Sequence, residues 1–199
     1  YIVSYEPKNG RDVIFVPVGL NYDQTLEDRF LINAGKAGNR RFRPSAWSVI
    51  RSCAIYAWWR VTGKFRGFGS AAVGFGTPLE LSTIPDGEGR TEAVAAELME
   101  RIKAVVPVLS VPLVARALMV QPDTNRAALI GTISVMLDQL RHKGIPLPRR
   151  EIGAMVDETL KRFTMRKLVV VSGQHVTVKD DQVDVIAYYA STISHHFPQ

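Results

Sequence analysis

A mixed α/β fold in two parts is predicted: an α/β region over residues 1–90, then a mainly helical region over 91–199 with one hairpin near 168–178. Three observations predict it. Short β-branched and apolar runs bounded by glycine and proline occupy 13–20 and 67–81. Apolar residues at helical spacing dominate the chain after residue 91, and two valine-rich runs flank Gly173.

Val13 to Leu20 (VIFVPVGL) opens after Asn9-Gly10 and reads as a buried strand. Tyr22 to Ile32 reads as a helix, with Asp23, Glu27 and Asp28 early, where the helix dipole favours negative charge, and with Gly35 and Gly38 to close it. Pro44 to Val61 reads as a second helix and carries all three tryptophans, Trp47, Trp58 and Trp59. At about 100° per residue Trp47, Ile50, Ala54 and Trp58 share one side. Arg51 intrudes on that side while Val49, Cys53 and Tyr56 lie opposite. Such a helix is packed on two faces or lodged at an interface.

Gly67 to Leu81 reads as a strand leaving through Thr77-Pro78, and Ile84 to Gly89 as a loop. Thr91 to Val105 is an amphipathic helix with Val94, Leu98 and Ile102 on one face; Pro107 and Pro112 then punctuate the start of an apolar helix ending near Met119. Asn125 to Lys143 and Arg149 to Phe163 follow as helices split by Gly144-Ile145-Pro146. Leu168 to Val171 and Val176 to Val178 form the hairpin, and a last helix runs from about Asp181 to His196.

With 199 residues, 46% of them hydrophobic, the chain can bury a core, so a disordered tail is excluded. A disulfide scaffold is excluded too, because Cys53 is alone, and a lone thiol suits a reducing compartment. The longest uncharged apolar stretch, Ala104 to Ala115, is too short to span a bilayer and holds two prolines. Residues 1–20 lack the layout of a signal peptide and open with Tyr rather than Met, which leads to the expectation of a longer parent chain.

Charge is concentrated. Lys36, Arg40, Arg41, Arg43, Arg51, Arg60, Lys64 and Arg66 fall in a stretch with no Asp or Glu. Subtracting these eight from 25 leaves 17 basic side chains against 19 acidic ones, so the net +6 arises in one place. An anionic surface met locally is the expectation.

Val16-Pro17-Val18-Gly19-Leu20-Asn21-Tyr22-Asp23, followed by Leu26-Glu27-Asp28-Arg29, resembles the last of the four blocks of the glycerol-3-phosphate acyltransferase family. Val73-Gly74-Phe75-Gly76-Thr77-Pro78-Leu79 is similar to its later strand, and Ala96-Glu97-Leu98-Met99 with Arg101-Ile102 to the helix that follows. Val105 to Met119 and Tyr188 to Phe197 are similar to its C-terminal region. Ordered motifs over nearly the whole chain are more specific than any one of them.

The resemblance implies an acyltransferase of phospholipid biosynthesis, moving a fatty acyl group from an acyl-CoA or acyl-ACP donor to glycerol 3-phosphate, with no cofactor and no metal. It implies a peripheral membrane enzyme on the cytoplasmic face of the inner membrane. The family's H-x-x-x-x-D block, whose histidine is the general base on the glycerol hydroxyl, and its phosphate-binding blocks precede the V-P-V strand, and only about a dozen residues do so here. The expectation is therefore a C-terminal fragment, inactive alone, with no catalytic residue of its own. Val16, Pro17 and Val18 correspond to a core strand lining the family's acyl site.

Lys36, Arg40 and Arg41 are candidates for the substrate phosphate, because guanidinium groups suit bidentate phosphate contacts, although a solvated loop is the plainer explanation. Trp47, Arg51, Trp58 and Trp59 are candidates for membrane contact, since tryptophan prefers headgroup depth and cations are drawn to anionic lipid. His175 to Asp180 spells H-x-x-x-x-D literally, but on a continuous strand positions five apart face opposite sides. Adjacent His195 and His196, without a cysteine or carboxylate cluster, read as a helix-end pair favoured by the dipole rather than as metal ligands.

Residues 125–178 could also spell a winged-helix module, in a nucleic-acid-binding or purely scaffolding role. Glu151, Asp157 and Glu158 beside Arg149, Arg150, Lys161 and Arg162 make a mixed surface that suits phosphates poorly, so nucleic acid is not the expected partner.

Overall fold

The computed structural model describes residues 12–25, 28–36, 47, 50, 54, 57–58, 61 and 69–197. Strands β1 (Ile14–Phe15) and β2 (Val18–Tyr22) run antiparallel to β4 (Leu79–Glu80) and β3 (Ala71–Phe75). The expected single strand over 13–20 is thus two, broken at Val16-Pro17. Proline has no N–H to give the ladder, and the break is bridged by Gly76 N–H donating to the Pro17 carbonyl at 2.9 Å. The pairing Val18↔Phe75, Leu20↔Val73 and Tyr22↔Ala71 makes one kinked ribbon.

The ribbon is not buried as expected. Its inner face presents Gly19 and Gly74, and the backbone at Val105–Val106 lies directly on them: a Cβ on Gly74 would stand 2.1 Å from the Val105 carbonyl oxygen. Side chains are excluded there, so the apolar residues of β2 and β3 take the other face, and Val18, Leu20, Tyr22, Val73 and Phe75 are exposed. The expected helix over 22–32 is also displaced. Tyr22 still belongs to β2, and helix α1 is Asp28–Lys36, running through Gly35.

The described residues Trp47, Ile50, Ala54, Ala57, Trp58 and Val61 are helical, as expected of 44–61. Helix α2 (Arg90–Val105) starts after Gly89 in a left-handed conformation and buries Val94. At Val106–Leu109 the chain turns by 92° into α3 (Ser110–Val120). Among the described residues no single helix is long and apolar enough to cross a membrane.

Beyond α3, strand β5 (Asp123–Asn125) leads into α4 (Arg126–His142), then α5 (Ile152–Met165), β6 (Val169–Ser172) and β7 (His175–Val178). Asn125 caps α4 by accepting from Ala128 N–H, and Glu151 caps α5 by accepting from Gly153 and Ala154. The β6–β7 hairpin turns at Gly173 with φ +61°, as the sequence predicts. The third strand, β5, went unforeseen; it is a short polar segment, Asp-Thr-Asn, that pairs with β7 to give the order β5-β7-β6. Strand, helix, helix and hairpin, with the first strand beside the last, is winged-helix connectivity.

The expected last helix is shortened to α6 (Val183–Ser191) between 3₁₀ turns at Asp180–Gln182 and Ser194–His196. Among the described residues the main hydrophobic cluster is built by this second part, with Ile32 of α1 packed against it: Leu113, Val114 and Leu118 of α3 pack with Ile133 and Leu140 of α4, Met155 and Phe163 of α5, and Ile186 and Tyr189 of α6.

Candidate functional site

Three acidic or amide residues of the 16–29 block are buried, and all three are structural anchors. Asn21 Nδ2 donates to the Pro107 carbonyl at 2.8 Å. The Asp23 carboxylate accepts from Ser70 N–H at 2.9 Å and from Val111 N–H at 3.1 Å. Val111 lies in the first turn of α3, whose own N-cap, Leu109, has no acceptor to offer. A carboxylate delivered from β2 therefore satisfies and charge-matches that helix end.

Asp28, at the start of α1, accepts at Oδ2 from the Tyr189 hydroxyl at 2.5 Å and pairs with Arg166 at the same oxygen. Arg166 Nη1 donates to the Tyr189 hydroxyl oxygen at 3.0 Å, and its guanidinium stands 5.8 Å from the ring centroid. Burial and the neighbouring Asp28 push the Tyr189 phenol up to about 12. It stays protonated at neutral pH, which suits it to hold Asp28 and not to act as a base.

An open groove of about 360 Å³ lies between the ribbon kink and α2, lined by Gly76, Thr77, Arg101, Ala104 and Val105. Arg101 is engaged within it, donating to the carbonyls of Thr77 (3.1 Å) and Pro78 (2.8 Å) and pairing with Glu97. Its role is to hold the kink.

Among the described residues, none of the candidates Val16, Pro17, Val18, Lys36, Trp47 and Trp58 lines this groove. Lys36 ends α1 and pairs with Asp184 across an exposed surface; Arg40 and Arg41 lie outside the described residues, as do Arg51 and Trp59. Pro17 is buried, whereas Val16 and Val18 face outward; Trp47 and Trp58 are exposed.

His175 Nε2 lies 2.7 Å from Asp123 Oδ1, which also accepts from the Thr177 hydroxyl at 2.8 Å, so its carboxylate partner comes from β5 and the pair is exposed. Hydrogen bonds from Thr177 and His175 hold the Asp123 carboxyl below its usual range. His195 and His196 are not the dipole-stabilised pair expected. His196 Nε2 donates to the Val106 carbonyl at 3.0 Å, and burial lowers the pKa of both imidazoles. They serve as neutral groups that clasp the C-terminal turn to the α2–α3 corner. Among the described residues no three His, Cys, Asp or Glu side chains come together as a metal site.

Sequence reasoning gave Asp28, Arg166 and Tyr189 no role as a joined group. The available signal was an acid placed where a helix begins, and it was read as a dipole partner only.

A family model described as the glycerol-3-phosphate acyltransferase C-terminal region matches residues 58–199. The chain belongs to that family. Four of the resembling segments, 73–79, 96–102, 105–119 and 188–197, fall inside the match, and the 16–29 block lies ahead of it. No curated protein matches the chain. For this family member the anchors just described join the ribbon and α1 to the matched region: Asn21 and Asp23 reach 107–111, and Asp28 reaches Arg166 and Tyr189.

Proposed function

We propose that this chain is the C-terminal portion of a glycerol-3-phosphate O-acyltransferase, serving phospholipid biosynthesis by transfer of a fatty acyl group from an acyl-CoA or acyl-ACP thioester to glycerol 3-phosphate, and inactive by itself. The observation that supports it is the unfinished ribbon. Its glycine face is closed by Val105–Val106, while the face carrying Val18, Leu20, Val73 and Phe75 is bare. Among the described residues neither β2 nor β3 has a further strand on its outer edge. A catalytic part bearing the H-x-x-x-x-D block would extend the sheet and cover that face, as open strand edges and contiguous apolar patches both call for a partner.

In this reading residues 1–90 complete the α/β core and 91–199 form a helical buttress. Lys36, with Arg40 and Arg41, supplies cations on the phosphate side. The Lys36–Asp184 pair is exposed and weak enough to exchange for a phosphate.

The test is transacylation with an acyl thioester and glycerol 3-phosphate. The chain alone should show no turnover, and a chain extended upstream through an H-x-x-x-x-D block should turn over. Turnover by the chain alone, or none by the extended chain, would refute the reading.

The winged-helix connectivity favours a second reading, duplex binding. Its would-be recognition helix, α5, carries acids already paired with cations: Asp157 with Arg126 of α4, and Glu158 with both Arg162 of α5 and Arg150 just ahead of it. DNA retention that falls steeply with salt would favour this reading over the first.

A further inference from the structure

We propose that the C-terminal turn, Ser194–His196 with Phe197, is an acid-released clasp: at neutral pH it holds the α2–α3 corner on which the β2–β3 ribbon is seated, and protonation of His195 and His196 loosens the ribbon while the helical core stays folded. The inference does not rest on the acyltransferase reading.

Ribbon and turn meet at the corner. The backbone of Val105 and Val106 lies so close to Gly19 and Gly74 that a Cβ on either glycine would strike it, and the Pro107 carbonyl accepts from Asn21. The Val106 carbonyl, at the non-helical end of α2, accepts from His196 Nε2 at 3.0 Å. One short stretch of backbone therefore carries both contacts. The ribbon has little else to hold it, since Val18, Leu20, Val73 and Phe75 are exposed and its polar ties are those of Asn21 and Asp23. A segment with few buried apolar contacts opens before the core does.

The setting of the two imidazoles admits them only as neutral rings. Their centroids are 4.0 Å apart. Lys143, beyond α4, donates to the His196 carbonyl at 2.7 Å, and Arg116 of α3 stands 5.7 Å from the Phe197 ring centroid. Lys103 of α2, whose ammonium pairs with Glu100, offers its backbone carbonyl to His195. The side chains of Lys103, Arg116 and Lys143 are all cationic, and neither ring has a carboxylate partner among the described residues. His195 Nε2 is buried with no hydrogen-bond partner. A proton added there would be a charged N–H without an acceptor, beside a second imidazole and near cations.

Burial, with His196 beside His195 and Lys143 beside His196, holds both imidazoles below the ordinary 6.5. In a freed turn they regain that value. Protons taken up as pH falls below 6.5 therefore favour release, and above it the clasp stays shut.

The test is backbone hydrogen exchange on the full chain at about pH 7.5 and about pH 5, each rate normalised for the intrinsic effect of pH; the lower value stays above the ordinary carboxylate range. Protection over residues 71–75 should fall about tenfold or more at the lower pH, while that over 111–118 changes by less than about twofold. His195→Gln with His196→Gln keeps side-chain donors that cannot take up a proton, so the pH dependence of the ribbon should vanish. A chain ending at Ser194 should show the loosened ribbon already at about pH 7.5. His142→Gln with His175→Gln, which removes the other two histidines, should leave the wild-type response in place. Circular dichroism on each variant reports whether the core persists. Ribbon protection equal at both pH values, an equal loss over 111–118, a pH response that survives in the folded Gln pair or disappears with His142→Gln/His175→Gln, or a shortened chain whose ribbon stays protected would each overturn the proposal. Exchange requires no turnover, so its failure is separable from failure of the acyltransferase reading.

Discussion

Val73 in β3 and Val114 in α3 are the same side chain in one molecule, yet Val73 is 51% exposed and Val114 is fully buried. The region after residue 105 closes a core on itself, with α3 sheathed by α4, α5 and α6. The ribbon region closes only the face that its glycines give to α2 and leaves the other to solvent. The contrast separates a part whose apolar side chains are buried from a part that leaves those of one face exposed. What joins them is polar: Asp23 on the end of α3, and Asp28 with Arg166 and Tyr189.

The comparison can be broken most forcefully in the core. Leu113→Ala should lower unfolding free energy by about 4 kcal/mol in urea titration, because it removes a fully buried side chain and leaves a cavity. Asp28→Ala comes next, at about 3 kcal/mol, since it removes the carboxylate partner of a largely buried guanidinium and the acceptor of the Tyr189 O–H. A loss below about 1 kcal/mol would mean that the two parts are joined less tightly than these contacts imply.

Gly74→Ala should cost about 2 kcal/mol, because the new methyl group meets the backbone of Val105 and not a side chain that can swing away. Thermal unfolding would show it as a lower Tm.

A smaller effect is expected from acid. The folded-state pKa values of His195 and His196 lie below the ordinary 6.5, chiefly through burial. The unfolded chain therefore takes up these protons first. Their contribution is fully present above pH 6.5 and is lost as pH falls through the lowered folded values. Stability measured against pH should decline on that acid side, and His195→Asn with His196→Asn should flatten the decline.

The smallest change sharpens the contrast. Phe75 is 72% exposed, so Phe75→Ser should move the stability of this chain by less than about 0.5 kcal/mol. In the upstream-extended chain the same substitution should cost more than about 1 kcal/mol, if that face is covered there. Equal, small effects in both chains would show the ribbon face to be solvent-facing in both.

Helices were legible from spacing and punctuation. Val94 is the fully buried residue of α2, Gly144-Ile145-Pro146 does separate α4 from α5, and Gly173 turns the hairpin. Strand β5 was not legible, because two of its three residues, Asp123 and Asn125, are of types depleted in strands, and the segment is a strand by pairing with β7. The resembling segments after residue 58 were legible as family, since ordered motifs identify descent. The roles of their residues were not, because Asp23 and Asp28 read locally as helix-start acids and become anchors only across separations of 88 and 161 residues.

The amino-acid order alone determined the secondary-structure periods, the lone thiol, the origin of the net positive charge in 36–66 and the family of the chain. Tertiary structure decided which way the periods face. A strand's alternation marks two sides without saying which is inward; for β2 that choice was made by the backbone of Val105–Val106 settling on Gly19 and Gly74, which turned valine, leucine and tyrosine outward. Burial is a relation between distant segments, so no local pattern could have stated it.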